Sequence, residues 1–262
     1  MATPSICEQN LSELTQALRD WYARPAGRRL LAAEQALLAR LSEDVFGYHL
    51  IQLQDFGHGL EAYADCPVSK RCLLDLRGGE AVGLMAVSEQ LPLQSDSVDL
   101  VVLPHTLDFA IDPHQVVREV ERVLIPEGRI LILGFNPFSL WGIARLFLRW
   151  RGKVPWCGHF LSYRRIVDWL GLVGFDIEYT DVCAIAPPLD SDRWAGRLAP
   201  LERLGRRVWP MLAGVYAVRA VKRVSTVRPI KTPWRGLRVL APTAIEPSAR
   251  NGVQHTSDKG NT

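Results

Sequence analysis

Residues 91–135 read as a strand, a loop, a helix and a second strand, and this order constrains the fold more than any other feature. Residues 98–103 are apolar except for Asp99 and include three valines, a composition that indicates a strand buried on both faces. Asp112 suits the N-cap of a helix and Pro113 suits its first position. Pro126 is expected to end this helix, and residues 129–135 form a second apolar strand after the Pro-Glu-Gly turn that Pro126 begins. This order predicts two parallel strands joined by a right-handed crossover.

Four motifs follow one another in this region: an LPL segment, an acidic-Ser-x-Asp pattern, an HxLxF loop with Asp-Pro, and the segment REVERVLIPEGRILI. Their order resembles that of class I S-adenosylmethionine-dependent methyltransferases of the small-molecule type. The resemblance is specific over residues 91–135 and extends from about residue 48 to residue 224. It implies an α/β fold with a Rossmann-like, doubly wound and mostly parallel sheet. S-adenosylmethionine would lie across the carboxyl ends of the first, second and fourth strands.

The chain divides into three predicted regions. Residues 1–47 form an N-terminal helical extension, with helices expected at about 11–22 and 29–41. Residues 48–224 form the Rossmann-like methyltransferase domain, and residues 225–262 are a basic, Pro-rich extension followed by an apolar-poor tail that is expected to be disordered. The resemblance implies that the N-terminal helices cover the cofactor or the substrate, and packing on the edge of the sheet is an equal alternative.

Composition narrows the class of protein. No apolar run approaches the roughly 20 residues of a membrane-spanning helix, and the N-terminus has no secretory-signal pattern. The net charge of +3 argues against nucleic-acid binding. Five scattered cysteines without CxxC spacing argue against a structural zinc site or a disulfide framework and favour the cytoplasm. Basic and aromatic residues alternate from 135 to 156, which leaves peripheral membrane contact open without further support.

The loop at residues 54–59 follows the first predicted strand, where the related enzymes hold their cofactor. Its glycines would let the backbone approach a ligand closely. The family pattern is incomplete, because Glu61 stands at the third glycine position in one register and Gln54 and Phe56 replace two glycines in the other. Cofactor binding and a simple turn are therefore alternatives. The candidate binding residues in this loop are Gln54, Asp55, Gly57 and Gly59.

Asp75 ends the second predicted strand, where the related fold has an acidic residue that accepts hydrogen bonds from the ribose hydroxyls. A surface aspartate at a strand end is an equal alternative. Only about 30 residues separate Gly59 from Leu91, and a parallel crossover needs roughly a dozen. The sequence therefore predicts that the helix between the second and third strands is lost and that the sheet is reduced on that side. Glu89 and Leu91 are the remaining candidates for the adenine pocket.

Pro104 and His105 follow the fourth strand, where open α/β sheets bind ligands. The resemblance places the sulfonium of the methyl donor near them. His105 could act as a general base, position the reactants or pack in the loop, and positioning is the favoured role.

Methyl transfer needs neither a metal nor a covalent intermediate, and the sequence predicts no metal site. The predicted function is methyl transfer from S-adenosylmethionine to a small-molecule acceptor. The alternative is a catalytically inactive methyltransferase-like module with a binding or regulatory role. Aromatic residues between 135 and 156 would form either an apolar wall for the acceptor or part of the core.

Overall fold

The structure is a computed structural model that describes residues 11–75, 82–148, 150, 152–184 and 213–224. Within these residues seven strands form one sheet in the order β3-β2-β1-β4-β5-β7-β6. The strands are β1 (Gly47–Leu53), β2 (Val68–Asp75), β3 (Val82–Met85), β4 (Val98–Pro104), β5 (Leu124–Phe135), β6 (Phe175–Cys183) and β7 (Val215–Lys222). The helices are α1 (Leu11–Tyr22), α2 (Pro25–Ser42), α3 (Thr106–Phe109), α4 (Pro113–Val123), α5 (Leu140–Leu148) and α6 (Tyr163–Val173).

The sheet is mostly parallel. Strands β1 to β5 pair in parallel, whereas β7 lies antiparallel between β5 and β6. Helices α1 and α2 contribute to the core on one face, and α4 and α6 contribute to the core on the other. This arrangement confirms the predicted Rossmann-like, doubly wound fold with its N-terminal helical extension.

Helix α4 forms for the reasons that its sequence suggests. The Asp112 side chain accepts hydrogen bonds from the backbone N–H groups of His114 and Gln115, and four buried valines face the sheet. The helix ends at Val123, and Leu124 already pairs with Val98 of β4. Pro126 was expected to stop this helix, but the helix ends before it. Because Leu124 already pairs with β4, Pro126 lies inside β5.

The connection between β2 and β3 confirms the predicted reduction of the sheet. Strand β2 ends at Asp75, and β3 is a four-residue edge strand parallel to it that begins at Val82. Residues 76–81 are too few for three helical turns, which need about 11 residues. The interval between the end of β2 and the start of β3 is therefore too short for the full crossover helix, as the sequence predicted.

The N-terminal extension contains both predicted helices. Helix α1 has the predicted bounds, and α2 begins at Pro25, four residues earlier than expected. Pro25 stands at the start of the helix, where a missing N–H costs no intrahelical hydrogen bond. Both helices bury leucines against the face of β1, β4 and β5, so the extension belongs to the hydrophobic core.

Two sequence expectations fall outside the described residues: a helix at 190–209 and the disordered character of residues 225–262. Cys66, Cys72 and Cys183 form no disulfide, whereas Cys157 is disulfide-bonded, which the scattered spacing did not predict. None of the described helices has the length and apolar character that a bilayer span requires.

Candidate functional site

The loop after β1 forms a tight turn held by Asp55. Its carboxylate accepts hydrogen bonds from the backbone N–H groups of Gly57 at 2.8 Å and Gly59 at 3.2 Å. Both glycines have positive φ, 119° and 65°, so the turn needs residues without a Cβ. A Cβ on Gly57 would lie 3.8 Å from the side chains of Leu31 and Tyr22, so this glycine faces the N-terminal helices.

Gln54 begins this loop in a left-handed conformation, with φ of 62°. Its backbone N–H donates to the Leu74 carbonyl at 2.7 Å and continues the pairing of β1 with β2. The side chain is buried, and its Oε1 atom has no hydrogen-bond partner among the described residues. A buried acceptor in this state carries a desolvation cost that a ligand's donor group would remove.

Arg19 of α1 connects the loops after β1 and β2. Its guanidinium donates to the Asp55 carbonyl at 2.8 Å and to Asp75 Oδ2 at 3.0 Å. The Asp75 side chain is fully buried, whereas that of Arg19 is 31% exposed. Asp75 is therefore not the surface aspartate that was the alternative to ribose binding, and it is paired with a cation that can reach solvent.

Glu34 of α2 connects the loops after β1 and β4. Its Oε2 atom lies 2.8 Å from His58 Nε2, and its Oε1 atom lies 2.9 Å from His105 Nε2. Tyr22 donates its hydroxyl to Glu34 Oε2 at 3.1 Å. On its other side, His105 Nδ1 lies 3.0 Å from Asp108 Oδ2. We call these five residues the Glu34 cluster; all five side chains are buried.

Electrostatic coupling sets the charge of this cluster. Burial by itself raises the pKa of Glu34, but the charge and hydrogen bond of His105 and the hydrogen bond of His58 outweigh it and lower the pKa to about 2. Burial lowers the pKa of His105, but Glu34 and Asp108 outweigh it and raise the pKa to about 9. Burial also raises the pKa of Asp108 and, with Glu34 nearby, that of Tyr22.

His105 is fixed from several directions. It has φ of 55° at the start of α3, and its ring stacks on Phe135 with 4.0 Å between centroids. Its partner Asp108 also accepts hydrogen bonds from the backbone N–H groups of Phe135 at 2.9 Å and Leu161 at 3.4 Å. Both ring nitrogens therefore face carboxylates that are themselves held in place.

The other predicted residues lie in two different surroundings. Pro104 is buried at the end of β4, directly before His105. The backbone N–H of Leu91 donates to Glu119 of α4 at 3.1 Å, on the opposite face of the sheet. Glu89 accepts a hydrogen bond from the backbone N–H of Ile111 at 3.3 Å. The contacts of Leu91 and Glu89 thus run toward α4 and the loop before it, and their role in adenine binding stays a prediction.

The aromatic residues between 135 and 156 separate into two groups. Phe135, Trp141 and Trp156 are buried in the core that α1 and α2 share with the sheet. Phe147 and Trp150 are 75% and 87% exposed. These residues therefore do not form one apolar wall.

Sequence reasoning missed Arg19, Glu34, His58 and Asp108. For Glu34 a signal existed, because it occupies the same helical stripe as Leu30, Leu37, Leu38 and Leu41, and a carboxylate on an apolar stripe must find a buried partner.

Glu34, His58 and His105 are also side chains that bind metals, and one ligand atom of each lies within 4.8 Å of the others. The sequence predicted no metal site because these residues come from three separate segments, so no spacing motif joins them.

Comparison with known proteins agrees with this architecture. The family described as "Methyltransferase domain" matches residues 70–132. YafS of Escherichia coli is 30% identical over 167 residues, which cover 64% of this chain and 69% of YafS. Demethylmenaquinone methyltransferase of Chlamydia pneumoniae is 35% identical over 77 residues, 28% of this chain and 33% of that protein.

Solved structures share the fold. An S-adenosylmethionine-dependent methyltransferase from Thermotoga maritima has a TM-score of 0.56 at 15% identity, covering 83% of this chain and 98% of its own. A protein from Listeria monocytogenes described as an S-adenosylmethionine-dependent methyltransferase has a TM-score of 0.51 at 16% identity. The match covers 74% of this chain and 98% of the Listeria chain. With its match to the methyltransferase domain, its relationship to YafS and this sheet topology, the chain belongs to the class I methyltransferase family.

Proposed function

We propose that this protein transfers a methyl group from S-adenosylmethionine to a small-molecule acceptor. The observation that supports this most strongly is that two side chains of the N-terminal helices meet the loops after β1, β2 and β4. Arg19 reaches Asp55 and Asp75, and Glu34 reaches His58 and His105. In open α/β sheets ligands bind at these carboxyl ends. The cofactor would therefore lie between the helical pair and the sheet.

Two features of this cleft suit the cofactor. The carboxylate of Asp75 can accept hydrogen bonds from two ribose hydroxyls once Arg19 has moved away. Gln54 Oε1, which accepts no hydrogen bond from the described residues, suits the ammonium group of the methionine moiety. Gly57 and Gly59 keep the intervening backbone in a compact turn. Bound there, the cofactor would supply an electrophilic methyl group.

Opening of the cleft would occur on the side of Arg19. Its side chain is 31% exposed although Asp75 is buried, so water can solvate Arg19 when it leaves the carboxylate. The Glu34 cluster is buried and would hold α2 in place. We therefore propose that the cofactor enters by displacing Arg19 from Asp75 while Glu34 keeps its contacts.

His105 is proposed to position the reactants. Its Nε2 atom faces Glu34 and its Nδ1 atom faces Asp108, so neither nitrogen is free to take a proton from an acceptor. Methyl transfer to a reactive nucleophile depends chiefly on alignment and exclusion of water. A rigid imidazole at the end of β4 supplies alignment.

Calorimetric titration of S-adenosylmethionine and S-adenosylhomocysteine into the purified chain tests this function. We expect saturable binding of both ligands. Absence of binding in the wild type and in Arg19→Ala, with both proteins folded, would overturn the proposal, because the second protein lacks the cation that competes for Asp75.

A further inference from the structure

The Glu34 cluster contains a set of donors that goes beyond what methyl transfer needs. Glu34 comes from α2, His58 from the loop after β1 and His105 from the end of β4. One ligand atom of each lies within 4.8 Å of the others, and their side chains are at most 1% exposed. We propose that these three residues bind one divalent transition-metal ion of the zinc class, which fastens α2 to the two loops.

The donor set and the distances suit such an ion. Two imidazole nitrogens and one carboxylate oxygen form a ligand set that zinc accepts in a tetrahedral arrangement. Glu34 lies 2.8 Å from His58 Nε2 and 2.9 Å from His105 Nε2. Donors around a tetrahedral ion with bonds of about 2.1 Å lie about 3.4 Å apart. Outward movement of each side chain by about half an ångström would admit the ion.

Two neighbours hold these donors in the orientation that a metal needs. Asp108 Oδ2 lies 3.0 Å from His105 Nδ1, so the Nε2 atom points toward Glu34. Tyr22 donates its hydroxyl to Glu34 Oε2 at 3.1 Å. A carboxylate behind a ligating histidine is a recurring feature of zinc sites, because it fixes the tautomer and the ring orientation.

Charge balance is compatible with a cation here. Glu34 and Asp108 are two buried carboxylates, and a divalent ion bound in place of a proton on His105 would keep them compensated.

Because the ligand side chains are buried and come from three segments, the ion would bind as α2 docks on the sheet. Metal binding would then contribute to the free energy of folding. The metal proposal is independent of the proposed function. If the chain bound a metal ion but no S-adenosylmethionine, the metal proposal would stand and the proposed function would fail.

Refolding with defined metals tests the proposal. The full chain is unfolded with a chelator and a thiol reductant, freed of both, and refolded without metal, with Zn²⁺ or with Co²⁺. We expect one ion per chain after dialysis and a higher denaturation midpoint with Zn²⁺. The cobalt form should show ligand-field absorption without thiolate charge transfer, which separates this site from binding by cysteine thiolates.

Variants locate the ion. Glu34→Gln and His58→Asn should lose the ion and the zinc-dependent rise in midpoint, and Asp108→Asn should weaken affinity about 10- to 100-fold. His49→Asn, which replaces an exposed histidine on β1, is the matched control and should behave as the wild type.

Two results would overturn the proposal. The first is a refolded wild type that retains no ion and has the same midpoint with and without Zn²⁺, which would make the cluster a hydrogen-bonded network only. The second is cobalt binding that persists unchanged in both Glu34→Gln and His58→Asn, which would place the ion elsewhere.

Discussion

Arg19 Nη2 lies 3.0 Å from Asp75 Oδ2, so an arginine of the N-terminal helix α1 forms an ion pair with the carboxylate at the end of β2. In the proposed function this carboxylate receives the ribose of the cofactor. The same contact therefore closes the cleft and competes with the ligand.

Removal of this competitor gives the first prediction. Arg19→Ala should bind S-adenosylhomocysteine up to about fivefold more tightly, about 1 kcal/mol, because it lacks the cation that competes with the ribose for Asp75. Calorimetry provides the affinities, and Arg28→Ala, an exposed arginine on α2, is the control. Weaker binding by Arg19→Ala would contradict the account and would assign Arg19 to the carboxylate of the cofactor instead.

Gly57 tests whether the loop after β1 contacts the cofactor. Its φ of 119° is unfavourable for side chains with a Cβ, so Gly57→Val should distort the turn held by Asp55. We expect at least tenfold weaker cofactor binding, about 1.4 kcal/mol.

The control is Gly171→Ala in α6, where an added Cβ meets nothing within 4 Å; it should leave affinity unchanged. Unchanged affinity in a folded Gly57→Val variant would mean that the loop is only a turn.

His105→Gln separates positioning from general-base catalysis. A general base contributes about 10²–10⁴-fold in rate, so a loss below about tenfold is expected if His105 only positions. Single-turnover methyl transfer to an identified acceptor, with metal content measured in parallel, provides the rate. A loss above about a hundredfold, with the acidic limb of the wild-type pH–rate profile abolished, would show that His105 acts as the base.

Arg219 of β7 should be a determinant of stability. Its side chain is 3% exposed, donates to the Leu41 carbonyl at 2.8 Å, and forms ion pairs with Asp44 and with Glu178. Arg219→Met should lower the free energy of unfolding by about 2 kcal/mol, because these acceptors lose a charged donor.

Urea denaturation measures this change. Arg223→Met removes an arginine that is 53% exposed and should change stability by less than about 0.5 kcal/mol. Equal effects of the two substitutions would contradict the assignment of Arg219 as a buried anchor.

The sequence predicted the sheet well because strand and helix signals are local. Asp112 and Pro113 specify the start of α4, and the short interval between Gly59 and Leu91 already excluded a full crossover helix. Pro126 gave a wrong prediction of where the helix ends, because that end depends on the pairing of Leu124 with Val98, which is a tertiary contact. A propensity at one residue cannot anticipate such a contact.

The candidate site could be predicted only in part for the same reason. Asp55, Asp75 and His105 follow strands whose ends are visible in the sequence. Arg19 and Glu34 come from an extension whose docking depends on long-range packing. The contacts that join the two parts, such as Glu34 with His105, connect residues 71 positions apart.

The most direct test of the proposed cleft compares the affinity of S-adenosylhomocysteine for the wild type, Asp75→Asn and Asp65→Asn. Asp75 is buried at the end of β2, whereas Asp65 is exposed before that strand. The account predicts at least tenfold weaker binding for Asp75→Asn, about 1.4 kcal/mol, and unchanged binding for Asp65→Asn. Equal affinity in all three folded proteins would contradict it, because the cofactor would then bind without the carboxylate on which the proposed cleft depends.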